Sequence, residues 1–341
     1  MLKIVSGLCF FVILCSSNVA SFGATPEKKP QNWGVEQGGD IPLLIDSHEQ
    51  ALDDAQAEAS EILLQTARWI DSFFDDERFV SEDNESRASL KLSLGYSKND
   101  EFEVKPRMDI RMKLPKLSSR AQLIITASDD TDFDIENEPG SIRPGDDENE
   151  KNDITAALRF FLKESEKYNI VFDTGVSWSY LYGSIRYRAI QDFDQWLGRF
   201  TNRLRWYTDD GWENKVTYDL ETHFRENLFF RSSTSANFYE TEDGLLHSQY
   251  FTLYQVLGSM RVVTYEAGVY FDTEPSYRMT DTLVLLKYRQ RFYRDWLVLE
   301  ISPRVSFPED HNRDANPGII FKFEAAIGYD ADEQGYKNIF H

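Results

Sequence analysis

From Ser86 to Tyr329 apolar and polar residues alternate with a period of two, the pattern of strands whose successive side chains point to opposite faces. "RASLKLSLGY" sets Ala88, Leu90, Leu92, Leu94 and Tyr96 against Ser89, Lys91, Ser93 and Gly95. "VKPRMDIRMKLP" does the same with charge, placing Lys105, Arg107, Asp109, Arg111 and Lys113 between Val104, Pro106, Met108, Ile110, Met112 and Leu114. Further alternating segments span 100–114, 119–128, 153–164, 168–180, 183–191, 197–208, 212–224, 228–239, 247–257, 260–273, 281–292, 296–307 and 317–329. The pattern predicts about fourteen strands, between roughly 12 and 16.

Ahead of the strands the period changes to that of a helix. Ser47 followed by Gln50 fits a capping box, and Leu52, Ala55, Ala59, Ile62, Leu63, Trp69, Ile70, Phe73 and Phe74 recur at helical spacing over 47–75. With the acidic stretch that ends it, this amphipathic unit spans 47–80. Residues 24–46 are rich in Pro, Gly and polar side chains and read as a flexible lead-in. Residues 1–23 carry Lys3, an apolar run from Ile4 to Leu14 and then small residues, the order of a cleaved secretory signal. "VILC" ending at Cys15 is a poor lipobox, because Leu14 stands where a small residue is required.

Connections between strands alternate in length. "PKLSSR", "KESEKY", "RENL", "LGSM" and "FYRD" are tight; the 24-residue acidic run 129–152, "YTDDGW", "ETEDGLLH", "DTEPSYRMTD" and "PEDHNRDAN" are longer or rich in Gly and acids. Two alternating classes of connection imply an up-and-down meander with two chemically different ends. A soluble β-sandwich would show the same alternation. Strand length argues against it: many segments reach about ten residues, as a tilted membrane strand requires, whereas globular strands average about five or six. Aromatics on the face taken as outward, among them Phe102, Phe160, Phe172, Trp178, Tyr187, Trp206, Phe224, Phe271 and Phe307, fall toward segment ends.

With its export signal, alternating strands, two classes of turn and terminal aromatics, the chain over 86–329 resembles a bacterial outer-membrane β-barrel protein. "NPGIIFKF" at 316–323 is similar to the terminal-strand assembly signal of that class, although here the strand runs on toward Tyr329 and an acidic tail, 330–341, follows. The resemblance implies an all-β, antiparallel transmembrane barrel preceded by a periplasmic amphipathic helix, in the outer membrane of a Gram-negative cell. Such a chain crosses lipid only as a closed barrel, because every backbone polar group there needs an internal partner. Pro106 and Pro303 lack a donor and are expected at a bulge or a strand end.

Charge then takes on a different meaning. The net charge of -21 excludes a nucleic-acid-binding footprint. The acids, however, crowd the 47–80 unit and the 129–153 region, while the faces read as inward are basic, with roughly twenty Lys and Arg against about nine Asp and Glu, a count that follows from the strand register. Lys105, Arg107 and Arg111 form one basic group, Arg186, Arg188, Arg199, Arg203 and Arg205 a second, and Lys287, Arg289, Arg291 and Arg304 a third. Asp219, Glu221, Glu266, Glu300 and Glu324 are candidate counter-charges. Two arrangements suit this set: a wall braced by ion pairs, or a basic constriction that favours anions in a narrow channel.

Both cysteines, Cys9 and Cys15, lie in the leader, so disulfides, thiolate metal sites and cysteine nucleophiles are excluded from the mature chain. A hydrolase would need His223 to meet Glu221 and one of Ser232, Ser233 or Ser235, and no catalytic motif surrounds these residues. The acidic 129–153 region lacks the spacing of a calcium loop, and no cofactor is expected. The expected surroundings are outer-membrane lipid. Trp69, Ile70, Phe73 and Phe74 form a stripe suited to a periplasmic protein partner or to self-association, which leaves a closed barrel serving as an assembly platform as the alternative to a channel.

Overall fold

The computed structural model of the 341-residue chain describes residues 87–99, 102–114, 120–128, 153–165, 167–193, 195–225, 227–292 and 296–327. The expected leader, lead-in and helix with Trp69, Ile70, Phe73 and Phe74 lie outside these residues, as do the 129–152 connection and the tail with Tyr329.

Fourteen strands occur in chain order: β1 (Arg87–Ser97), β2 (Glu103–Lys113), β3 (Ala121–Ser128), β4 (Asp153–Glu164), β5 (Tyr168–Val176), β6 (Leu181–Phe193), β7 (Trp196–Tyr207), β8 (Gly211–Arg225), β9 (Leu228–Tyr239), β10 (Leu246–Gly258), β11 (Arg261–Asp272), β12 (Arg278–Arg291), β13 (Leu297–Ser306) and β14 (Asn316–Ile327). Each pairs antiparallel with its sequence neighbours, and β14 returns to pair with β1, so the sheet closes into a barrel without an edge. "NPGIIFKF" opens this closing strand, setting Ile319 opposite Tyr96 and Phe323 opposite Leu92. Both chain ends of the barrel lie at the rim of tight turns; the longer connections gather at the other rim.

The two faces settle the choice between a sandwich and a barrel in lipid. A soluble protein buries its apolar face. Here the apolar face is the exposed one: Leu90 is 58% and Val284 53% accessible, whereas inward Arg186 and Arg289 are 3% and 4%. Apolar side chains thus form the outside and charged ones the inside, the polarity of a transmembrane barrel. Rings mark both ends of the outer surface, with Phe102, Trp178, Trp206, Trp212 and Tyr277 toward the long connections and Phe193, Trp196 and Phe224 toward the tight turns, all exposed.

The prolines sit inside strands rather than at bulges or ends, and each occupies a place where one ladder is missing. Pro106 pairs with Leu92 of β1, but the β2–β3 ladder covers only Met108 to Lys113. Pro303 pairs with Ile319 of β14, and the β12–β13 ladder breaks between the Leu285–Arg304 and Tyr288–Ile301 pairs. A residue without an N–H is tolerated where a ladder is already interrupted.

The inner face is also more apolar than strict alternation allows. Tyr250, Tyr270 and Leu283 pack together on β10–β12 with Leu285 against them, and Tyr180, Tyr182, Ile124 and Ala157 make a second inward cluster joined by Tyr207. Glycine provides the room. A Cβ on Gly268 would overlap the Tyr250 ring, and one on Gly175 would overlap Tyr182, so each tyrosine lies flat over the neighbouring strand.

Candidate functional site: the charged inner wall

The strand registers place every basic and acidic residue proposed above on the inner face, and they sort these residues into two levels. Near the tight-turn rim runs a belt of ion pairs. Glu221 accepts from Arg231 Nε at 2.7 Å and from Arg199 Nη2 at 3.3 Å; Arg231 also donates to Tyr254 Oη at 3.1 Å. Phe229 and Tyr254 flank the Arg231 guanidinium at 5.7 and 5.4 Å, and both Arg231 and Glu221 are fully buried. Asp219 accepts from Ser233 Oγ at 2.5 Å. Arg289 bridges Glu300 at 3.2 Å and Glu324 at 2.6 Å, with Lys322 reaching Glu300 at 3.9 Å. Lys287 meets Glu266 at 3.4 Å, and Tyr250 donates to the same carboxylate at 2.9 Å. Lys91 and Arg107 share Asp109 at 3.8 and 2.9 Å, closing the belt across β1 and β2.

Loopward of the belt the arrangement changes. Arg186 of β6 stands directly opposite Arg203 of β7, which stands opposite Lys215 of β8. Three cations in one cross-strand row repel, since like charges directly opposite are destabilising. Their exposures are only 3%, 5% and 7%, and none of the three is without an interaction partner. One level closer to the loops, Arg205 reaches Glu213 at 3.5 Å and Tyr207 Oη at 3.2 Å. On the adjoining strands β4 and β5, Arg159 grips Asp173 bidentately, at 2.7 and 3.1 Å. Arg159, Asp173, Arg203 and Arg205 line a polar cavity of about 20 Å³, room for a water molecule, bounded also by Asp109, Arg111, Ile124, Thr126, Tyr182 and Ser184.

The remaining predicted cations are more dispersed. Lys105 pairs with Glu103 at 3.0 Å near the loop rim. Arg188 lies between Asn169 and Thr201, Arg291 opposite Val298, and Arg304 between Leu285 and Gly318. Sequence reasoning left out Lys91, Asp109, Arg159, Asp173, Glu213, Lys215, Arg231 and Lys322 as site residues, although each falls on an inward parity position. Their partners sit on other strands, and only the register between strands reveals them.

The residues of a hydrolase are not brought together. His223 stands opposite Phe229, with ring centroids 5.5 Å apart, and Glu221 is taken by two arginines. Ser233 donates to Asp219, Ser235 meets Thr217 at 3.1 Å, and Ser232 accepts from Gln249 on the outer face.

Neither a family model nor a curated relative matches the sequence. Solved structures with a similar trace include a loop L8 deletion mutant of OmpT, an outer-membrane protein of Vibrio cholerae, at 7% identity, covering 71% of this chain and 98% of that one with a TM-score of 0.44. An anion-selective porin from Comamonas acidovorans matches at 8% identity, 71% and 98% coverage and a TM-score of 0.43. A bacterial polysaccharide outer membrane secretin matches at 10% identity, 72% and 99% coverage and a TM-score of 0.45. The assignment to a porin-like barrel rests on this chain's own closed pairing and inverted polarity.

Proposed function

We propose that this protein is exported to the Gram-negative outer membrane, where it forms a narrow passage for small anions. The observation that supports the reading is the in-register row Arg186, Arg203 and Lys215, three inward cations directly opposite one another on neighbouring strands. A concentration of cationic side chains at one level of a pore lowers the free energy of an anion there and raises that of a cation. The row's low exposure strengthens the effect, because a charge acts over a longer range where the dielectric is low.

Purified full-length protein in a planar bilayer under a salt gradient tests this. Sustained current with an anion-favouring reversal potential is expected, and Arg203→Glu should move that potential toward the cation side. Silence across independent preparations, or a potential that ignores Arg203→Glu, would sink the channel reading. Silence would favour a closed barrel acting as an assembly platform, a reading that the belt of buried ion pairs also supports.

A further inference from the structure

We propose that the outer face of the barrel around the Asn202–Asn214 pair is the surface through which two copies of this chain form a twofold dimer in the plane of the membrane. The inference concerns the outside of the wall and does not depend on the channel reading.

The outward positions of β7–β10 depart from the polarity kept elsewhere. Asn202 of β7, Asn214 of β8, Ser232 and Thr234 of β9 and Gln249 of β10 all point away from the lumen, alternating with buried inward neighbours such as Arg203, Lys215 and Ser233. On the opposite side of the closed sheet, seven strands away, β14 and β1–β3 hold only apolar side chains and Tyr96 at their outward positions. The polar residues are not confined to strand ends. Asn202 is the seventh of 12 residues in β7, and Thr234 the seventh of 12 in β9. On β7 and β8 the pair lies inside the exposed rings of Trp206 and Trp212 on one side and of Trp196 and Phe224 on the other. That interval is the hydrocarbon level of the wall.

Hydrocarbon offers no partner to an amide or a hydroxyl, and a polar group placed there is costly unless it is hydrogen-bonded. On β9 and β10 the side chains satisfy one another: Thr234 Oγ1 donates to Gln249 Oε1 at 2.6 Å, and Gln249 Nε2 to Ser232 Oγ at 2.9 Å. On β7 and β8 the demand is only half met. Asn202 Nδ2 donates to Asn214 Oδ1 at 2.8 Å, while among the described residues Asn214 Nδ2 donates no hydrogen bond and Asn202 Oδ1 accepts none. A donor and an acceptor are left side by side.

That remainder is complementary to a copy of itself. A half-turn about an axis beside the pair, along the membrane normal, sets β7 of one barrel against β8 of the other at the same height. Asn214 Nδ2 of each copy then meets Asn202 Oδ1 of the other, two equivalent bonds in an isologous contact. Acyl chains supply neither bond. The four strands β7–β10, at about 4.8 Å spacing under an apolar band about 25 Å tall, offer roughly 480 Å² per barrel. Two such faces come close to the roughly 1,000 Å² at which specific interfaces begin, so the dimer is expected to be reversible.

The test uses the full chain with its two cysteines replaced, Cys9→Ser and Cys15→Ser, reconstituted at a series of lipid-to-protein ratios. Val216→Cys, opposite Asn202 across the β7–β8 ladder, stands beside the axis, and Ile110→Cys stands on β2 at the far side of the barrel. A short bismaleimide should join two Val216→Cys chains at least tenfold faster than two Ile110→Cys chains. Equal rates, or no product of doubled mass from Val216→Cys, overturn the proposal. Energy transfer between barrels labelled on Ile110→Cys then measures association. Asn202→Leu with Asn214→Leu removes the leftover donor and acceptor and suits the face to lipid, so it should lower at least tenfold the dilution at which transfer falls to half. The heat-dependent gel shift of a folded barrel, retained in this variant, would separate lost association from lost folding. Monomers at every ratio in the parent chain would mean that lipid alone covers the face and would overturn the dimer. Association that ignores the two leucines would place the contact elsewhere and overturn it as well.

Discussion

The belt and the row differ in how they make buried charge tolerable. In the belt three carboxylates are each shared between donors on different strands: Glu221 between Arg199 and Arg231, Glu300 between Arg289 and Lys322, Asp109 between Lys91 and Arg107. Charge there is cancelled within the wall and ties neighbouring strands together. In the row, Arg186, Arg203 and Lys215 meet one another across the ladder, so the wall itself adds repulsion at that level. A barrel closed by backbone hydrogen bonds can carry such a level only because the belt and the β1–β14 pairing hold its shape independently. On the proposed channel reading, the contrast separates a structural use of inward charge from a functional one.

The largest expected effect comes from breaking the belt at its most enclosed point. Glu221→Ala leaves Arg199 and Arg231 buried without their shared carboxylate, and removal of one partner of a buried pair costs about 3–5 kcal/mol. Urea unfolding of the refolded barrel, followed by tryptophan fluorescence, should show a loss of that order. Changing Arg231 to Met and Glu221 to Leu together should recover part of it, since the uncompensated charge is then reduced. A loss below about 1 kcal/mol in Glu221→Ala, the range of exposed pairs, would mean that the belt is bathed in water and does not brace the wall.

Next in size is the outer face that both levels share. Val284 is outward and exposed, one residue from inward Leu283 and Leu285. Val284→Lys should cost about 2–4 kcal/mol if the position lies near the middle of the hydrocarbon. On a water-exposed surface the same change would stay within about 0.5 kcal/mol, and that result in a bilayer would remove the membrane placement.

Much of this organisation is legible in the sequence because period-two alternation records the two faces directly. The expected segments 228–239 and 153–164 coincide with β9 and β4, and 212–224 differs from β8 by one residue at each end. Parity alone then placed Arg186, Arg203, Glu221 and Glu324 inside. Pairings were less legible. Arg159 and Asp173 are 14 residues apart, and nothing local in either strand marks their contact; the Arg159–Asp173 register across a bulged hairpin does. The inward aromatic patch was hidden for a different reason. Tyr250–Phe251, Tyr270–Phe271 and Leu283–Val284 are apolar doublets, so reading each strand as one apolar and one charged face assigns only the outward member. Such doublets signal that both faces are dry.

That signal has its own test, of intermediate size. Gly268 leaves space for the Tyr250 ring, so Gly268→Val forces the ring off the wall and overpacks the Tyr250, Tyr270 and Leu283 cluster. A loss of about 1–3 kcal/mol is expected, typical of added volume in a packed interior. If the inner face at β10–β12 were open to water, the ring would swing into the lumen at little cost, and an unchanged unfolding midpoint would show it.

The smallest effect should come from the row itself, and its smallness is what distinguishes it from the belt. Arg203→Gln removes the middle cation and with it the repulsion toward Arg186 and Lys215, each such neighbour contributing roughly 0.2–1 kcal/mol. Loss of the residue's favourable interactions opposes this gain, so the net change in stability should stay within about 1 kcal/mol of zero, several-fold less than for Glu221→Ala. Ion selectivity should respond the other way round, with a clear shift in reversal potential for Arg203→Gln in low salt and a weaker one in high salt, where charges are screened over shorter distances. A destabilisation by Arg203→Gln as large as that by Glu221→Ala, together with an unmoved potential, would show that the row braces the wall as the belt does, and the division of inward charge into two uses would fail.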